Sequence, residues 1–387
     1  MPWQESTTMS LRLVFVQQAS APDANLSALC AQFGISRPTG YKWLTRYQQG
    51  GLAALTDQSR RPQTQPTRTA VAAEQRVLAL REQHPAWGAR KLRARLATRD
   101  PDEPVPTAST ITAILRRHGQ LAAPRPPAAH RRFEHPAPND LWQCDFKGHL
   151  PLLASTDRCH PLTVLDDHAR FALGIIACAN EQTTTVQAAL TTLFRTYGLP
   201  WRLLCDNGSP WGSAGSPTPW TVLTVWLLRL GVAVSHGRPY HPQTQGKDER
   251  FHRSLTAEAL TQPLRDLSHA QSVLSAWRQV YNHERPHEAL QMAVPASRYV
   301  PSPRPFPETL PPLEYDATFT VRKVQQEGVI HWQGHEYTVG KAFVGQPVGV
   351  RPTDEDGCYA VYFADHYIAA LDVRDQRLDR PTHPRVC

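Results

Sequence analysis

HPLTVLDDHARFALGIIACAN, residues 160 to 180, reads as two β-strands joined by a turn. Leu, Val, Ile and Phe fill both runs, and Asp166 and Asp167 stand where one strand ends and the chain turns into the next. Upstream, DLWQCDFKGHLPLL (140–153) is another β-like run. Downstream, TTTVQAALTTLFRTYG (183–198) shifts to a helical period, with Val186, Leu190, Leu193 and Phe194 on one face. WRLLCDNG (201–208) returns to strand character, and TPWTVLTVWLLRLG (218–231) is a second, more apolar helix. The order strand, strand, strand, helix, strand, helix, strand, helix predicts an α/β layer whose first three strands are antiparallel.

Proline bounds this region. AAPRPPAAHRRFEHPAPN (122–139) holds five prolines and PSPRPFPETLPP (301–312) holds six, and neither has a periodic apolar pattern. Both read as extended, semi-rigid linkers. The expected organisation is a multidomain chain: helical units over 1–65 and 66–121, a linker over 122–139 and an α/β core over 140–300. A linker over 301–312, a β module over 313–375 and a tail over 376–387 follow. In the C-terminal module, short apolar runs alternate with glycines every eight to twelve residues, the pattern of a small all-β barrel or sandwich.

The N-terminal part is helical and bipartite. NLSALCAQFGISRPTGYKWLTRYQQGG (25–51) places Leu26, Leu29, Cys30 and Phe33 on one helix. A Gly-Ile-Ser turn follows, then a second helix from Arg37 with Trp43, Leu44 and Tyr47 at helical spacing. That is a helix-turn-helix layout, whose second helix enters the major groove of DNA. Arg37, Thr39, Lys42 and Arg46 would be its exposed polar residues; an ordinary helical hairpin with a solvated polar face is the alternative. HPAWGARKLRARL (84–96) stacks Arg90, Lys91, Arg93 and Arg95 around Leu92 and Leu96. TASTITAILRRHG (107–119) offers a Thr/Ser cap and an apolar stripe at Ile111, Ile114 and Leu115. Arg116 and Arg117 near its end also suit the helix dipole, so they discriminate little.

Charge separates these parts. Of the 387 residues, 1–139 carry 19 Lys/Arg against 9 Asp/Glu, whereas 140–387 carry 23 against 25. The basic excess lies in the first third, as expected of a part that holds a phosphate backbone. The composition, 41% hydrophobic and 20% charged, supports a buried core. Seven dispersed cysteines without a C-x-x-C pair suggest neither a disulfide framework nor a zinc site. The N-terminus lacks the apolar run of a signal peptide, and the longest apolar stretch, VLTVWLL (222–228), stops at Arg229, far short of a membrane span. These features predict a soluble protein of a reducing cytosol with no membrane partner.

Three acidic residues of the core stand where catalysis would want them. Asp145 ends the run WQCDF, and Asp206 ends LLCDNG, at the strand edge where sites of open α/β sheets lie. Asp248 or Glu249 opens the last helix, in HPQTQGKDERFHRSL (241–255). Hard Mg²⁺ or Mn²⁺ ions need oxygen ligands, and paired ions are held by shared carboxylates. Spacing alone leaves solvated or capping carboxylates as the alternative.

WQCDF, LLCDNG and YHPQTQGKDERFHRSL resemble the three acidic motifs of insertion-sequence transposases with an integrase-type core, the DDE recombinases. MPWQES, LCAQFGISRPTGYKWLTRY, LTDQSRRP, HPAWGARKLRARL and YNHERPHEAL resemble the family's other patterns, so the resemblance spans nearly the whole chain. It implies an RNase H-like core in which Asp145, Asp206 and Glu249 are catalytic and hold two Mg²⁺ or Mn²⁺ ions. The family has Glu three residues after the glycine of QTQGK, which selects Glu249; Asp248 stands at a position usually apolar there. Helix geometry agrees, since Phe251, Leu255 and Ala259 define a buried face. Asp248 lies over Leu255, whereas Glu249 projects roughly 120° away beside Arg253 and Thr256. A second departure is the connection NGSPWGSAGSPTPW (207–220), several residues longer than usual.

The resemblance implies a DNA transposase, cytoplasmic in a prokaryote and nucleoid-associated when bound. It would bind terminal inverted repeats, cleave DNA to free a 3′-OH, and join that hydroxyl to target DNA, acting as a homo-oligomer on double-stranded DNA. Lys247, Arg250 and Arg253 join Arg37, Thr39, Lys42, Arg46, Arg90, Lys91 and Arg93 as candidate DNA contacts, with a solvated helix face as the alternative. His241 and His252 flank the third motif and are as readily structural. Cys144 and Cys205 are expected to fill the core as small apolar residues. Two other functions fit part of the pattern: a DNA-binding regulator or inactive remnant, and an RNase H-like nuclease without strand transfer.

Overall fold

The computed structural model describes residues 7–57, 69–121, 134–212, 220–236, 246–375 and 377–379. Most of the first proline-rich stretch and His241 lie outside the described residues. The chain divides into two compact units, Met1–Arg68 and Thr69–Cys387.

In the first unit, helices α1 (Thr8–Ala19), α2 (Leu26–Gln32) and α3 (Arg37–Gly50) enclose Phe15, Val16, Cys30, Trp43 and Leu55. Each helix starts on a capping side chain: Thr7, Asn25 and Ser36 accept the backbone N–H of Ser10, Ala28 and Thr39. Gly34, at φ 62°, makes the turn between α2 and α3. Gly40 lets the two helices approach closely, since a Cβ there would lie 2.5 Å from the Cys30 sulfur. The turn and second helix fall where the sequence predicts them.

The second unit begins with α4 (Val71–Gln83), α5 (Ala89–Arg99) and α6 (Ala108–Arg117), packed around Trp87, Leu92, Leu96, Ile111, Ile114 and Leu115. Thr107 caps α6 by accepting the Thr110 N–H. The core sheet then runs through β1 (Trp142–Phe146), β2 (Leu150–Pro151), β3 (Arg158–Asp166) and β4 (Ala172–Cys178), followed by α7 (Thr183–Tyr197). β5 (Arg202–Cys205), α8 (Val222–Arg229), β6 (Ala233–His236), α9 (Gly246–Glu258) and α10 (Leu267–His283) complete it. Spatially the order is β4-β3-β1-β5-β6, with β2 on the start of β3. β1, β3 and β4 are antiparallel, and β5 and β6 join β1 in parallel.

β4 sends side chains to both sides of the sheet, and a register shift opposite Val164 and Leu165 lets Ala172 and Ile175 share one face. Leu173 faces the layer of Val186, Leu190 and Phe194 from α7 and Leu223 and Leu227 from α8. Ala172 and Ile175 face Phe251 and Leu255 of α9 and Leu274, Trp277 and Tyr281 of α10. Residues 301–312 lie along this core. Arg304 donates to the carbonyls of Pro200 and Gly231, Ser302 donates to that of Leu199, and Phe306 and Leu310 pack on the α7–α8 layer.

The C-terminal module contains β7 (Thr320–Lys323), β8 (Val329–Trp332), β9 (His335–Thr338), β10 (Pro347–Pro352), β11 (Cys358–Phe363), β12 (His366–Asp372) and β13 (Arg377–Asp379). It is not the closed barrel expected from the sequence. Five antiparallel strands form an open sheet, β13-β12-β11-β10-β7, and β8–β9 is a separate hairpin. The apolar face is covered by other means: Ile330, Trp332 and Tyr337 of the hairpin cluster with Val348, Val361, Phe363 and Leu371 of the sheet, and Val225 and Leu228 of α8 join them. Helix α8 is thus apolar on two sides, one toward each sheet. No helix among the described residues is long and apolar enough to cross a membrane.

Candidate active site

The parallel pairing of β1 with β5 sets Trp142 beside Leu203 and Gln143 beside Leu204. Continued outward, this register sets Cys144 beside Cys205 and Asp145 beside Asp206. Strand neighbours lie about 4.8 Å apart. The two thiols are buried and hydrogen-bonded to one another, and burial raises both, Cys144 well above its ordinary value. They fill the core as neutral groups, as their sequence context suggests. The two carboxylates that follow are only half-buried, at the edge where the strands leave the sheet.

Both carboxylates are held above their ordinary range. Burial lifts Asp145 to about 6, with repulsion from Asp206 next; the Phe146 N–H opposes this and Glu181 adds to it. Burial also raises Asp206, against the Gly208 N–H that donates to its Oδ1 at 3.1 Å. His236 Nδ1 donates to the Asp206 carbonyl at 2.7 Å, fixing the backbone there, and burial keeps its ring uncharged. A pair of crowded, half-dehydrated carboxylates suits a cation, which would relieve the repulsion.

Two side chains around the pair play little or no part in the sequence reading. Glu181, just after β4, raises both aspartates and pairs with His160 Nδ1 at 2.8 Å. Its only sequence signal is an acid at a strand's end. His252 of α9 shares a 2.8 Å hydrogen bond with Thr163, whose hydroxyl donates to the Asp145 carbonyl. Its Nδ1 stands 4.0 Å from Asp145 Oδ2, at the limit of an ion pair, but burial outweighs that contact. Burial, with Lys147 next, lowers it to about 4, so the ring is neutral at pH 7.

Helix α9 presents its two acids differently. Asp248 is buried, 2% exposed, in line with Phe251 and Leu255. Its Oδ1 makes no hydrogen bond among the described residues. Burial raises it well above the carboxylate range, and Asp145 and Asp167 raise it further. Glu249 is exposed. The charges that act on Asp145 are Asp206 and Glu181, and those on Asp206 are His236, which lowers it, and Glu181, which raises it. Among the described residues, no three His, Cys, Asp or Glu side chains are grouped closely enough to hold a metal. The structure therefore brings Asp145 and Asp206 together and leaves Glu249 outside the pair.

Other candidates also fall into place. Asp166 accepts the N–H groups of Asn139 and Ala169, both at 2.7 Å, and shapes the turn after β3. Asp167, fully buried, accepts from Gln143 and from the His135 N–H and forms an ion pair with Lys247. Lys247 is thus tied inward, while Arg250 and Arg253 are exposed. On α3, Arg37 and Lys42 are exposed, Thr39 is half-buried beside Ser36, and Arg46, like Lys42 and Arg12, lies over the Trp43 ring. On α5, Arg93 is exposed, Arg90 pairs with Glu288, and half-buried Lys91 sits beside Arg285, Glu258 and Glu288.

The pattern of the C-terminal domain of IS481 family transposases matches residues 319–379, and that of the integrase core domain matches residues 135–242 and, in a second form, 230–295. The chain carries an integrase-type core and a C-terminal domain of the IS481 transposase type. Family patterns for a helix-turn-helix domain (11–63) and a homeodomain-like domain (39–115) cover the N-terminal helices of the transposase, and such domains imply DNA binding. It is 30% identical over 161 residues to the insertion element IS407 uncharacterized 31.7 kDa protein of Burkholderia multivorans, which covers 41% of this chain and 55% of that one. It is 26% identical over 252 residues to the insertion element IS476 uncharacterized 39.2 kDa protein of Xanthomonas euvesicatoria, 63% of this chain and 69% of that one. A simian T-cell lymphotropic virus intasome, in complex with the PP2A regulatory subunit B56 gamma, aligns over 80% of this chain and 100% of its own. At 15% identity and a TM-score of 0.38 that likeness is weak. The integrase-core family uses divalent metal ions.

Proposed function

We propose that this transposase binds the terminal inverted repeats of its element through the helix-turn-helix units, cleaves the DNA to free a 3′-OH, and joins that end to target DNA. Asp145, Asp206 and Glu249 would hold two Mg²⁺ (or Mn²⁺) ions in an RNase H-like core. Two such ions, when bound, make a water or hydroxyl nucleophilic and stabilise the leaving oxygen of a phosphodiester. The observation that carries the reading is the side-by-side placement of Asp145 and Asp206, each pushed up by burial and crowding. The protein's own groups would do the rest: neutral His252 and Thr163 fix the Asp145 backbone and exclude water from one side, and the Gly208 N–H orients Asp206. Arg37 and Lys42 of α3, and Arg93, Arg250 and Arg253, would meet DNA phosphates, which position a duplex without reading its sequence. Joining two ends calls for a homo-oligomer on DNA.

A second reading of the third ligand has its own support. Asp248 is buried, its Oδ1 is unpartnered among the described residues, and the Asp145 charge raises it. Paired substitutions separate the two. Glu249→Gln is expected to abolish Mg²⁺-dependent strand cleavage while DNA binding persists, and Asp248→Asn to keep most activity. Exchanged phenotypes make Asp248 the ligand. Loss of cleavage in neither variant removes α9 from the site. Cleavage without joined products marks a nuclease rather than a transposase.

A further inference from the structure

The segment YNHERPHEAL (281–290) runs on from the last turn of α10, on the same face of the sheet as α9, and its Arg285 reaches into α9. Arg285 is 7% exposed, and it is the guanidinium that touches α9. Its Nε donates to both oxygens of Glu258, at 2.9 and 3.2 Å, and its Nη2 donates to the Ser254 hydroxyl at 2.9 Å. Ser254 in turn donates to the Arg250 carbonyl at 3.1 Å, and the Trp277 indole donates to Glu258 at 3.0 Å. Arg285 also lies over the Tyr281 ring, whose edge-on partner is Phe251 of α9.

Helix α9 needs such an anchor. Its sequence, GKDERFHRSLTAE, is mostly polar, and Phe251 and Leu255 are the large apolar side chains it buries. Two apolar contacts resist separation without fixing the helix's rotation; Lys247–Asp167 and His252–Thr163 tie its first two turns, and the turns beyond them rest on Arg285. A planar guanidinium that grips two side chains one turn apart fixes rotation and axial position there, because its donors are rigidly arranged. The grip is itself held from the other side. Arg95 of α5 pairs with Glu284 at 2.6 Å and Arg90 with Glu288 at 3.3 Å, flanking Arg285 on either side.

We infer that Arg285 is a positioning residue that sets the rotation and axial position of α9, and with them the placement of Glu249 relative to Asp145 and Asp206. The inference rests on Glu249 being the third ligand. Full-length protein carrying Arg285→Lys, and separately Ser254→Ala, is compared with the parent by hydrogen exchange across residues 246–258, by Mn²⁺ affinity from electron paramagnetic resonance, and by DNA affinity. Lysine keeps the charge but not the fork; alanine removes one contact of the fork. Exchange in α9 is expected to rise about tenfold in Arg285→Lys and by less in Ser254→Ala. Mn²⁺ affinity is expected to fall about tenfold in Arg285→Lys, the usual scale for a partner that orients a ligand. Exchange in α7 and DNA affinity should stay within twofold. If Arg285→Lys does not fold, Ser254→Ala decides by the same readouts. Unchanged α9 exchange or unchanged Mn²⁺ affinity in the folded variants overturns the inference. Full Mn²⁺ affinity in Glu249→Gln overturns the ligand assignment instead, and leaves an effect of Arg285 on α9 exchange standing.

Discussion

Lys91 offers the sharpest contest between a local and a tertiary reading of a basic residue. It belongs to a run of cations that the sequence assigns to DNA, yet the structure turns it toward Arg285, Glu258 and Glu288. Burial, with Arg285 next, lowers its ammonium to about 8 from 10.5. A shift of that size corresponds to about 3 kcal/mol of penalty on the charged form. Partial exposure reduces it, so Lys91→Met, which keeps the stem and drops the charge, should stabilise the protein by about 1–3 kcal/mol at pH 7. The pH dependence follows from linkage. Because the folded value lies below the unfolded one, the unfolded chain holds the extra proton between about pH 8 and 10. The parent therefore gains stability as pH rises through that window and loses it as pH falls, and the advantage of the variant closes above it. Urea unfolding followed by tryptophan fluorescence at pH 7 and pH 10.5 measures both values, with Trp87 in the adjoining helical core as a reporter. If Lys91 is instead a phosphate contact, the variant lowers the slope of log affinity against log salt by about 0.9 with no gain in stability. A variant no more stable than the parent at pH 7, or equally favoured at pH 10.5, refutes the buried-charge argument.

Lys247→Met leaves fully buried Asp167 without its ammonium partner and should cost about 3 kcal/mol, with most of it recovered when Asp167→Asn is added; urea midpoints of the single and double variants check this. Arg37→Ala and Lys42→Ala, on the exposed side of α3, should each lower the salt slope of DNA binding by about 0.9 without moving the unfolding midpoint, whereas an unchanged slope places α3 away from the backbone. Ending the chain at residue 312 uncovers Val225 and Leu228, each worth about 1.5–3 kcal/mol when buried, so the shortened protein should aggregate. Its soluble fraction should recover with Val225→Ser and Leu228→Gln, and a shortened protein that stays monodisperse without them shows that α8 does not need the C-terminal sheet.

What could be read along the chain was whatever a local period decides. The strand and helix order of the core, the turn between α2 and α3, the Thr107 cap and the buried stripe of α6 all depend on residues a few positions apart. So does the division of labour on α9, where one residue of helical offset buries Asp248 and exposes Glu249. The C-terminal module shows the limit. Its short apolar runs announce strands, but closure depends on whether β13 meets β7. What covers the apolar face is a hairpin and a helix from another part of the chain, and no local pattern reports that. The fates of Lys91 and Lys247 are of the same kind. Each looks like a solvated cation in its own helix, and each is claimed by a residue far away in sequence, the Arg285 segment in one case and Asp167 in the other.

The acidic pair itself was legible as two motifs but not as a pair, and the difference is physical. WQCDF and LLCDNG are separated by three strands and a helix, and only the parallel register of β1 with β5 sets their aspartates abreast. The same register stacks Cys144 against Cys205 one step inward, where ionised or bulky residues could not sit side by side in a closed core. Two neutral thiols let the strands approach, and the strands then hold two carboxylates at a separation they would avoid in water. Burial raises both, with repulsion from Asp206 added at Asp145 and from Glu181 at each, so the fold holds the pair in a state that a divalent cation would relieve and that water alone does not. The third acid is of a different kind. Glu249 rides on a polar helix fixed by two ionic anchors, Lys247–Asp167 at its start and Arg285–Glu258 at its end. In the proposed site the sheet would fix two ligands by its register, and the helix would leave the third to side chains that can be tuned one at a time.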